Sequence, residues 1–418
     1  MLTFAKGKQN YPVKLHRNLI EGIIEVLQKV FQEHAYSDKA IESVFKQNKR
    51  WGARDRAFVA EHSYNLIRNH KRLRYALGMP TEDGAQEQHT DALRRLAAGY
   101  FLLLLKELPS WDLFTGIPAY TQLQERYDRP PHPSIAYSVS DWLWQYGTRQ
   151  MGEGWQRELA AMHTQADVYL RVNTLKTDIH GLRERLLQEG FATEPVEKVP
   201  SALRLTERGN IFRTKAFQEG LFEVQDAGSQ LIAPFLEVKA GMRVIDACAG
   251  AGGKTLHLAT LMRNKGHIIA MDVEEWKLKE LRKRARRNEV FNIETRLIDN
   301  QTIKRLRGSA DRLLLDVPCT GSGVLRRNPD AKWRITQTFA DEVKAKQQKI
   351  LELYPQMLKT GGKMVYATCS VFPEENRRQI EHFLALNPHF ELEAEELLLP
   401  SYHGWDGFYM ARLRKTAP

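Results

Sequence analysis

The sequence predicts an α/β protein: a doubly wound, mostly parallel sheet of seven strands, preceded by a small α/β module and an all-helical region. Three observations carry this. From about Leu236 onward, short apolar runs alternate with amphipathic helical stretches, the pattern of parallel strands joined by crossover helices. Before about residue 165 the apolar period is helical throughout. All three cysteines fall at the carboxyl ends of predicted strands, the edge where open α/β sheets bind ligands.

The helical region comes first. Apolar residues recur at helical spacing in NLIEGIIEVLQKVFQEH and in DALRRLAAGYFLLLLKEL. GMPTEDGAQEQHT (78–90) reads as a polar loop, and DRPPHPS (128–134) as a proline-rich break that no helix crosses. SVSDWLWQYGTRQMGEGWQRELAAM supplies a last pair of helices. From about Asp167 the period changes. VYLRVNTL, ALRLTE and LFEVQD predict short strands. TDIHGLRERLLQEG predicts a helix capped by Thr177 or Asp178 and stopped at Gly190. Next, RVIDAC, HIIAMDV, ETRLID, RLLLDVP and KMVYATC predict strands. TLHLATLMR, EWKLKELRKRARR, FADEVKAKQQKILELYPQML and ENRRQIEHFLAL predict the helices. HFELEAEE and GFYMARLR have too little chain between them for a helical crossover, so they should pair antiparallel. A chain of 418 residues supports two or three domains, which we place at 1–165, 166–235 and 236–418.

Composition excludes several classes. Three cysteines, in no C-x-x-C pair, argue against a disulfide framework and a structural zinc site, so no metal is expected. A reducing cytoplasm fits. The first residues show no apolar stretch of a secretory signal. The longest apolar run, near Leu102 to Leu105, is too short to span a bilayer, and no membrane association is expected. The net charge of +11, with an isoelectric point near 9.4, points to an anionic partner, nucleic acid first. The bases cluster in KQNKRWGARDR (46–56) and IRNHKRLR (67–74), which also carry Trp51 and His70, and in KLKELRKRARRN (277–288). A solvated helix face explains any one block; three blocks favour a surface that tracks phosphates. Lys46, Lys49, Arg50, Arg54, Arg56, Arg68, Lys71, Arg72 and Arg74 are expected to form that surface in the helical region. A monomer is expected.

VIDACAGAGGKT follows a strand and opens a helix. The P-loop pattern fails because Cys248 stands where its first glycine is needed. The dinucleotide pattern G-x-G-x-x-G fails because Thr255 stands where its third is needed. What remains is a run of small residues, Ala247 to Gly253, that lets the backbone approach a ligand closely. Asp272, at the end of the next strand, is placed to accept hydrogen bonds from ribose hydroxyls. A nucleoside cofactor without a pyrophosphate fits, and S-adenosylmethionine is the expected one. The bland alternative is a tight strand-to-helix turn.

A free cysteine is most often a small core hydrophobe, but Cys319 and Cys369 both end strands on the cofactor side. Cys319 precedes TGSG, a turn expected to be flexible and to expose the thiol. A thiol beside a methyl donor suggests methylation at carbon 5 of a pyrimidine. A thiolate added to carbon 6 makes carbon 5 nucleophilic, and loss of the carbon 5 proton then expels the thiol. Asp316 is the candidate to bind the ring N3 and exocyclic amine, with Lys254 as a second polar contact. A turn cap and a solvated side chain are their alternatives.

The Gly-rich turn, DVPCTGSGVLRRNPDAKW and YATCSVFPEEN together resemble the motifs of the Fmu/Sun (RsmB-like) RNA cytosine-5 methyltransferases, in order and approximate spacing. The resemblance is strong from about Val168 onward. The helical first part is similar to a NusB-like RNA-binding domain. The resemblance implies a Rossmann-like S-adenosylmethionine-dependent methyltransferase domain and ribosomal RNA as the substrate. It also implies Cys369 as nucleophile and Cys319 as the residue assisting release of the methylated base. It carries cofactor contacts to Cys248, Ala249, Gly250, Ala251, Gly252, Gly253 and Lys254, and to Asp272, Asp299 and Asp316. The family's turn usually reads C-A-A-P-G-G-K-T. Here Gly250 and Ala251 stand where Ala and Pro are expected, which predicts a more flexible turn. Other readings are a transfer RNA cytosine-5 methyltransferase, a weakly catalytic RNA-binding ribosome assembly factor, and an amino-directed methyltransferase. The last needs no nucleophilic thiol.

Overall fold

The computed structural model describes residues 15–82 and 90–417. The first residues read above and most of the 78–90 loop lie outside the described residues. The chain forms two compact units: Met1–Gln165 with Leu325–Gln337, and Ala166–Val324 with Thr338–Pro418.

The first unit is helical, as its apolar period predicts. Helix Arg17–Phe31 buries Leu19, Ile20, Ile23, Ile24 and Leu27, the i, i+3, i+4 stripe of an amphipathic helix. Helix Thr90–Leu105 buries Leu93, Leu96, Ala97 and Phe101 in the same core. Ser140 caps helix Asp141–Met151, its hydroxyl accepting from Leu143 N at 3.1 Å. Leu325–Gln337 brings Lys332 into this unit, where the side chain is buried. Its Nζ donates to Tyr137 O at 2.9 Å and Arg68 O at 3.3 Å, and lies 3.4 Å from His163 Nδ1. Burial, with Arg68 nearby, pulls its pKa well below the usual lysine range.

The basic blocks need correction here. Lys46, Lys49, Arg50 and Arg54 are exposed, as a phosphate-tracking face requires. Arg68, Lys71 and Arg74 are buried, and Arg56 and Arg72 are half-buried. Lys71 pairs with Asp141 at 2.6 Å, and Arg74 Nε donates to Pro80 O at 2.5 Å. Arg72 Nε donates to Tyr127 O at 2.8 Å while its guanidinium lies over the Tyr127 ring. Trp51 is in the core, and His70 is stacked on Phe31. The 67–74 block is therefore largely internal scaffolding: long side chains bury their stems and satisfy carbonyls with their heads.

The second unit holds both sheets. Strands β1 (Tyr169–Val172), β2 (Thr193–Pro195), β3 (Ala202–Leu205) and β4 (Phe222–Val224) form an antiparallel sheet in the order β2-β3-β1-β4. Asp178, not Thr177, caps helix Ile179–Gln188, accepting from Gly181 N at 2.8 Å. The sequence reading missed β2, a three-residue edge strand ending in proline, which removes a ladder donor and mutes the strand signal.

The large sheet contains β5 (Arg243–Asp246), β6 (His267–Asp272), β7 (Ile293–Leu297), β8 (Ala310–Asp316), β9 (Leu358–Thr368), β10 (Phe390–Leu398) and β11 (Phe408–Lys415). Their order is β10-β11-β9-β8-β5-β6-β7. The pairings among β5 to β9 are parallel, and β11 runs antiparallel to β10, as the short connection predicted, and also to β9. Both faces are covered, so the strands are apolar on both sides. Leu313 and Leu315 of β8 pack with Leu351, Ile380 and Phe383 on one face. Leu314 packs with Leu256, Leu258 and Leu281 on the other. Each such fully buried leucine stabilises the fold by about 1.5–3 kcal/mol. Helix Gln337–Leu353 gives way to a 3₁₀ turn at Tyr354–Met357, where Pro355 cannot continue the α-helical ladder. Strand order reverses at β5, which lies between β6 and β8. The carboxyl ends around such a switch point form the binding crevice.

Candidate active site

The Gly-rich turn after β5 is held from several sides. Ala249 N donates to Met271 O at 2.9 Å, and Gly250 N to Asp272 Oδ2 at 2.9 Å. Asp272 Oδ1 accepts from Glu274 N at 3.0 Å. Arg284 donates to Ala251 O at 2.7 Å and Arg171 to Gly253 O at 2.5 Å. Two guanidiniums therefore brace the turn at Ala251 and Gly253. Arg284 and Arg287 both pair with the buried Glu223, which ties the turn's support to β4. Gly252 adopts φ +87°, and a Cβ there would lie 2.5 Å from Leu281 Cγ. At Gly250 and Gly253 a Cβ would meet nothing within 4 Å, which leaves the outer side of the turn open. An open, side-chain-free backbone beside the Asp272 carboxylate fits a nucleoside cofactor such as S-adenosylmethionine.

Beneath the turn, Asp246 is buried and accepts from Thr255 Oγ1 at 2.7 Å. Burial, assisted by the Asp316 charge, pushes its pKa up to about 7. Burial likewise pushes the Cys248 thiol well above its usual range, with Asp246, Asp316 and Asp272 adding to the effect.

Lys254 opens the helix Gly253–Leu261, and Asp316 ends β8. Their side chains meet at 2.5 Å, Lys254 Nζ to Asp316 Oδ2, with Asp316 more exposed than the lysine. Burial lowers the Lys254 pKa, but the Asp316 charge and hydrogen bond outweigh it, so the group stays raised and charged. Lys254 also feels Cys369 and lies over the Phe408 ring at 5.8 Å.

Cys319 follows β8 and Cys369 follows β9, and their Sγ atoms are 3.2 Å apart. This is far beyond the disulfide bond length of about 2.05 Å and within reach of an S–H···S hydrogen bond. The Cys369 contact, then burial, then the charge of Glu375 raise the Cys319 thiol well above its usual range. The Cys319 thiol is partly exposed, while the TGSG turn expected to be flexible is tied down. Thr320 and Ser322 are buried, with Thr320 clamped on Glu375 and Ser322 Oγ 2.8 Å from Ser370 Oγ. Gly323 N donates to Cys369 O at 2.9 Å and Gly407 N to Gly323 O at 2.8 Å. A Cβ at Gly323 would stand 2.3 Å from Gly407 O, so only glycine allows this approach.

Cys248, Asp272, Lys254, Asp316, Cys319 and Cys369 thus share the carboxyl edge of the sheet, and Lys254 links the turn to the thiols. Asp299 follows β7 at the same edge but makes no hydrogen bond or ion pair with them among the described residues. It is exposed and caps helix Asn300–Arg305, accepting from Thr302 N at 2.6 Å. Sequence reading missed Glu375, Gln347, Arg171 and Arg284. Glu375 lay inside the PEEN tail of the second cysteine motif; nothing local in sequence marks the others. A surface cavity of about 550 Å³, lined by Met242, Asp311, Arg312 and Lys359 among others, lies at the opposite edge of the sheet and includes none of the candidate residues.

This fold and this edge define a Rossmann-like, S-adenosylmethionine-dependent methyltransferase. Residues 233–414 match the family described as 16S rRNA methyltransferase RsmB/F, and residues 139–212 match the ferredoxin-like domain of RsmF/B-like methyltransferases. A probable ribosomal RNA small subunit methyltransferase B of Synechocystis is 29% identical over 437 residues, covering 94% of this chain and 98% of its own. The ribosomal RNA small subunit methyltransferase B of Vibrio cholerae is 34% identical over 306 residues, covering 68% of this chain and 67% of its own. The crystal structure of PH0851 superposes with a TM-score of 0.77 at 25% identity, covering 97% of this chain and all of that one. The chain belongs to the RsmB/F family of RNA cytosine-5 methyltransferases, as its motifs implied.

Proposed function

We propose that this enzyme methylates carbon 5 of a cytosine in ribosomal RNA, in the cytoplasm, through a covalent adduct at Cys369. The observation that carries the reading is the 3.2 Å pair of cysteine sulfurs beside the Lys254–Asp316 ion pair. Residues Cys248 to Lys254 and Asp272 would hold S-adenosylmethionine. That molecule supplies an electrophilic methyl group for carbon 5.

The chain's own residues do the rest. The Cys369 thiolate forms a bond to carbon 6, and the ring electrons move toward N3 and carbon 5. Asp316 faces the N3 and exocyclic amine edge, where a carboxylate accepts from the amine N–H. Lys254 pairs with Asp316 at 2.5 Å and places a cation near the reacting sulfur. After methylation the carbon 5 proton leaves to solvent, the double bond re-forms and the carbon–sulfur bond breaks. Cys319 holds its proton and can donate to the departing sulfur, which suits a role in release.

We assign RNA binding in part to the helical domain at 1–165, through Lys46, Lys49, Arg50 and Arg54, with a small α/β module at 166–235 and the catalytic domain at 236–418. The test is a denaturing gel with labelled small-subunit ribosomal RNA and S-adenosylmethionine. Cys369→Ala should abolish turnover and form no covalent complex. Cys319→Ala should accumulate one. Accumulation with Cys369→Ala instead would exchange the two roles, and activity in both variants without any adduct would return both thiols to packing.

A further inference from the structure

We propose that Glu375 is the positioning residue that registers the two cysteine loops against each other, so that Cys319 can release the adduct formed at Cys369. This rests on the two-thiol reading above. Glu375 is fully buried, and its partners are neutral donors from three separate segments. From the Cys319 loop, Thr320 N donates to Oε2 at 2.7 Å and Thr320 Oγ1 to Oε1 at 2.5 Å. From the Cys369 loop, Ser370 Oγ donates to Oε1 at 2.6 Å. From helix Gln337–Leu353, Gln347 Nε2 donates to Oε2 at 3.2 Å and to Pro318 O at 2.9 Å. One carboxylate therefore binds the residue directly after each thiol, and Gln347 also holds the residue before Cys319.

The carboxylate is itself fixed. Tyr366 of β9 donates through its hydroxyl to Glu375 O at 2.7 Å. Asn376 Nδ2 donates to Ser370 O at 2.8 Å and Thr368 Oγ1 to Asn376 Oδ1 at 2.5 Å, which locks the Cys369 loop to the segment carrying Glu375. A buried carboxylate is costly unless hydrogen bonds satisfy it, and here those bonds fall on the two catalytic loops. Its charge also helps to keep Cys319 protonated, after the Cys369 contact and burial.

Glu375→Gln tests this. The amide nitrogen cannot accept, so either Thr320 N and Gln347 lose their acceptor or the Thr320 and Ser370 hydroxyls must turn round and accept, while size and shape are kept. Turnover should fall by about 10- to 100-fold, the size expected when a buried donor is left without a partner. Because the slowed step follows adduct formation, the KM for RNA should fall together with turnover, leaving kcat/KM within about threefold of wild type. The decisive readout is the covalent complex: Glu375→Gln should accumulate denaturant-resistant RNA adduct, as Cys319→Ala does. Thr320→Val removes only the hydroxyl donor and should shift the same readouts in the same direction, more weakly. It carries the test if Glu375→Gln lacks a cooperative melting transition. Wild-type turnover, or slowed turnover without adduct accumulation, in the folded Glu375→Gln variant overturns the proposal. So does wild-type behaviour of Thr320→Val where Glu375→Gln does not fold. Cys319→Ala run alongside separates the two levels. If it accumulates no adduct, the two-thiol reading fails; if it does and Glu375→Gln does not, only the role of Glu375 fails.

Discussion

Gly252→Ala measures how tightly the cofactor turn is built. Gly252 has φ +87°, and a Cβ would stand 2.5 Å from Leu281 Cγ, 3.0 Å from its Cδ1 and 3.2 Å from its Cβ. A left-handed backbone costs an L-residue about 1–2 kcal/mol. Forcing a methyl into a packed site costs about 1–3 kcal/mol more. Leu281 is fully buried and has no solvent to swing into, so both costs apply and sum to about 2–5 kcal/mol. If the turn keeps its shape, the loss appears as stability. If the turn relaxes, it appears as cofactor affinity, about 30- to 4000-fold at 1.4 kcal/mol per decade. Urea unfolding and calorimetry with S-adenosylmethionine read the two shares, which together should fall in that range. Gly253→Ala is the contrast. Its backbone is not left-handed, and a Cβ there meets nothing in the protein. It should keep or gain up to about 1 kcal/mol of stability and still weaken cofactor binding, because the methyl occupies the open side of the turn. A Gly252→Ala protein with unchanged stability and unchanged affinity refutes the reasoning. Unchanged affinity in Gly253→Ala removes this face of the turn from the cofactor site.

Asp272→Ala should weaken S-adenosylmethionine binding by about 1.5–3 kcal/mol, the worth of hydrogen bonds to a charged group; calorimetry with unchanged affinity removes Asp272 from the site. The pKa of Asp246 is raised from 3.8 to about 7 by burial, so between about pH 4 and 7 the folded chain holds a proton that the unfolded chain releases. Stability should therefore fall as pH rises through that window, by at most on the order of 4 kcal/mol, and Asp246→Asn should flatten the dependence in urea titrations at pH 5 and 8. Reversing the exposed charges of Lys46, Lys49, Arg50 and Arg54 should reduce the salt dependence of RNA binding by about one log–log unit for each phosphate no longer neutralised. An unchanged slope would mean that this face is only solvated.

The architecture was largely legible because its signals are periodic and local. The central strands β5, β6, β8 and β9 contain short apolar runs, and helices such as Glu275–Arg287 carry an amphipathic stripe, so neither needs knowledge of distant partners. The antiparallel β10–β11 pair followed from chain length alone. The basic blocks were misread for the opposite reason. A charge run reports composition, while burial depends on partners far along the chain. Lys71 finds Asp141 and Arg72 finds Tyr127 only after folding. Arg284 and Arg171 were invisible as supports of the cofactor turn for the same reason: the carbonyls they hold lie 33 and 82 residues away.

The two thiols show where motif reading stops and geometry takes over. Both cysteines end strands at one sheet edge, and residue type alone makes them equivalent, so their roles came from resemblance. The surroundings break that symmetry. Cys319 sits on the side of Glu375, whose negative charge opposes loss of its proton. Cys369 lies within electrostatic reach of the Lys254 ammonium, which favours the negative sulfur that forms whenever the carbon–sulfur bond breaks. Either sulfur can donate in the 3.2 Å contact; Glu375 on one side and Lys254 on the other favour Cys319 as the donor. That polarity suits addition at Cys369 and assisted departure from it. It also predicts that exchanging the environments, and not the cysteines, is what would exchange the roles. Glu375→Gln and Lys254→Met should both slow turnover, but at different steps: the first should accumulate adduct and the second should reduce its formation. Identical adduct levels in the two variants would mean that charge does not distinguish the thiols.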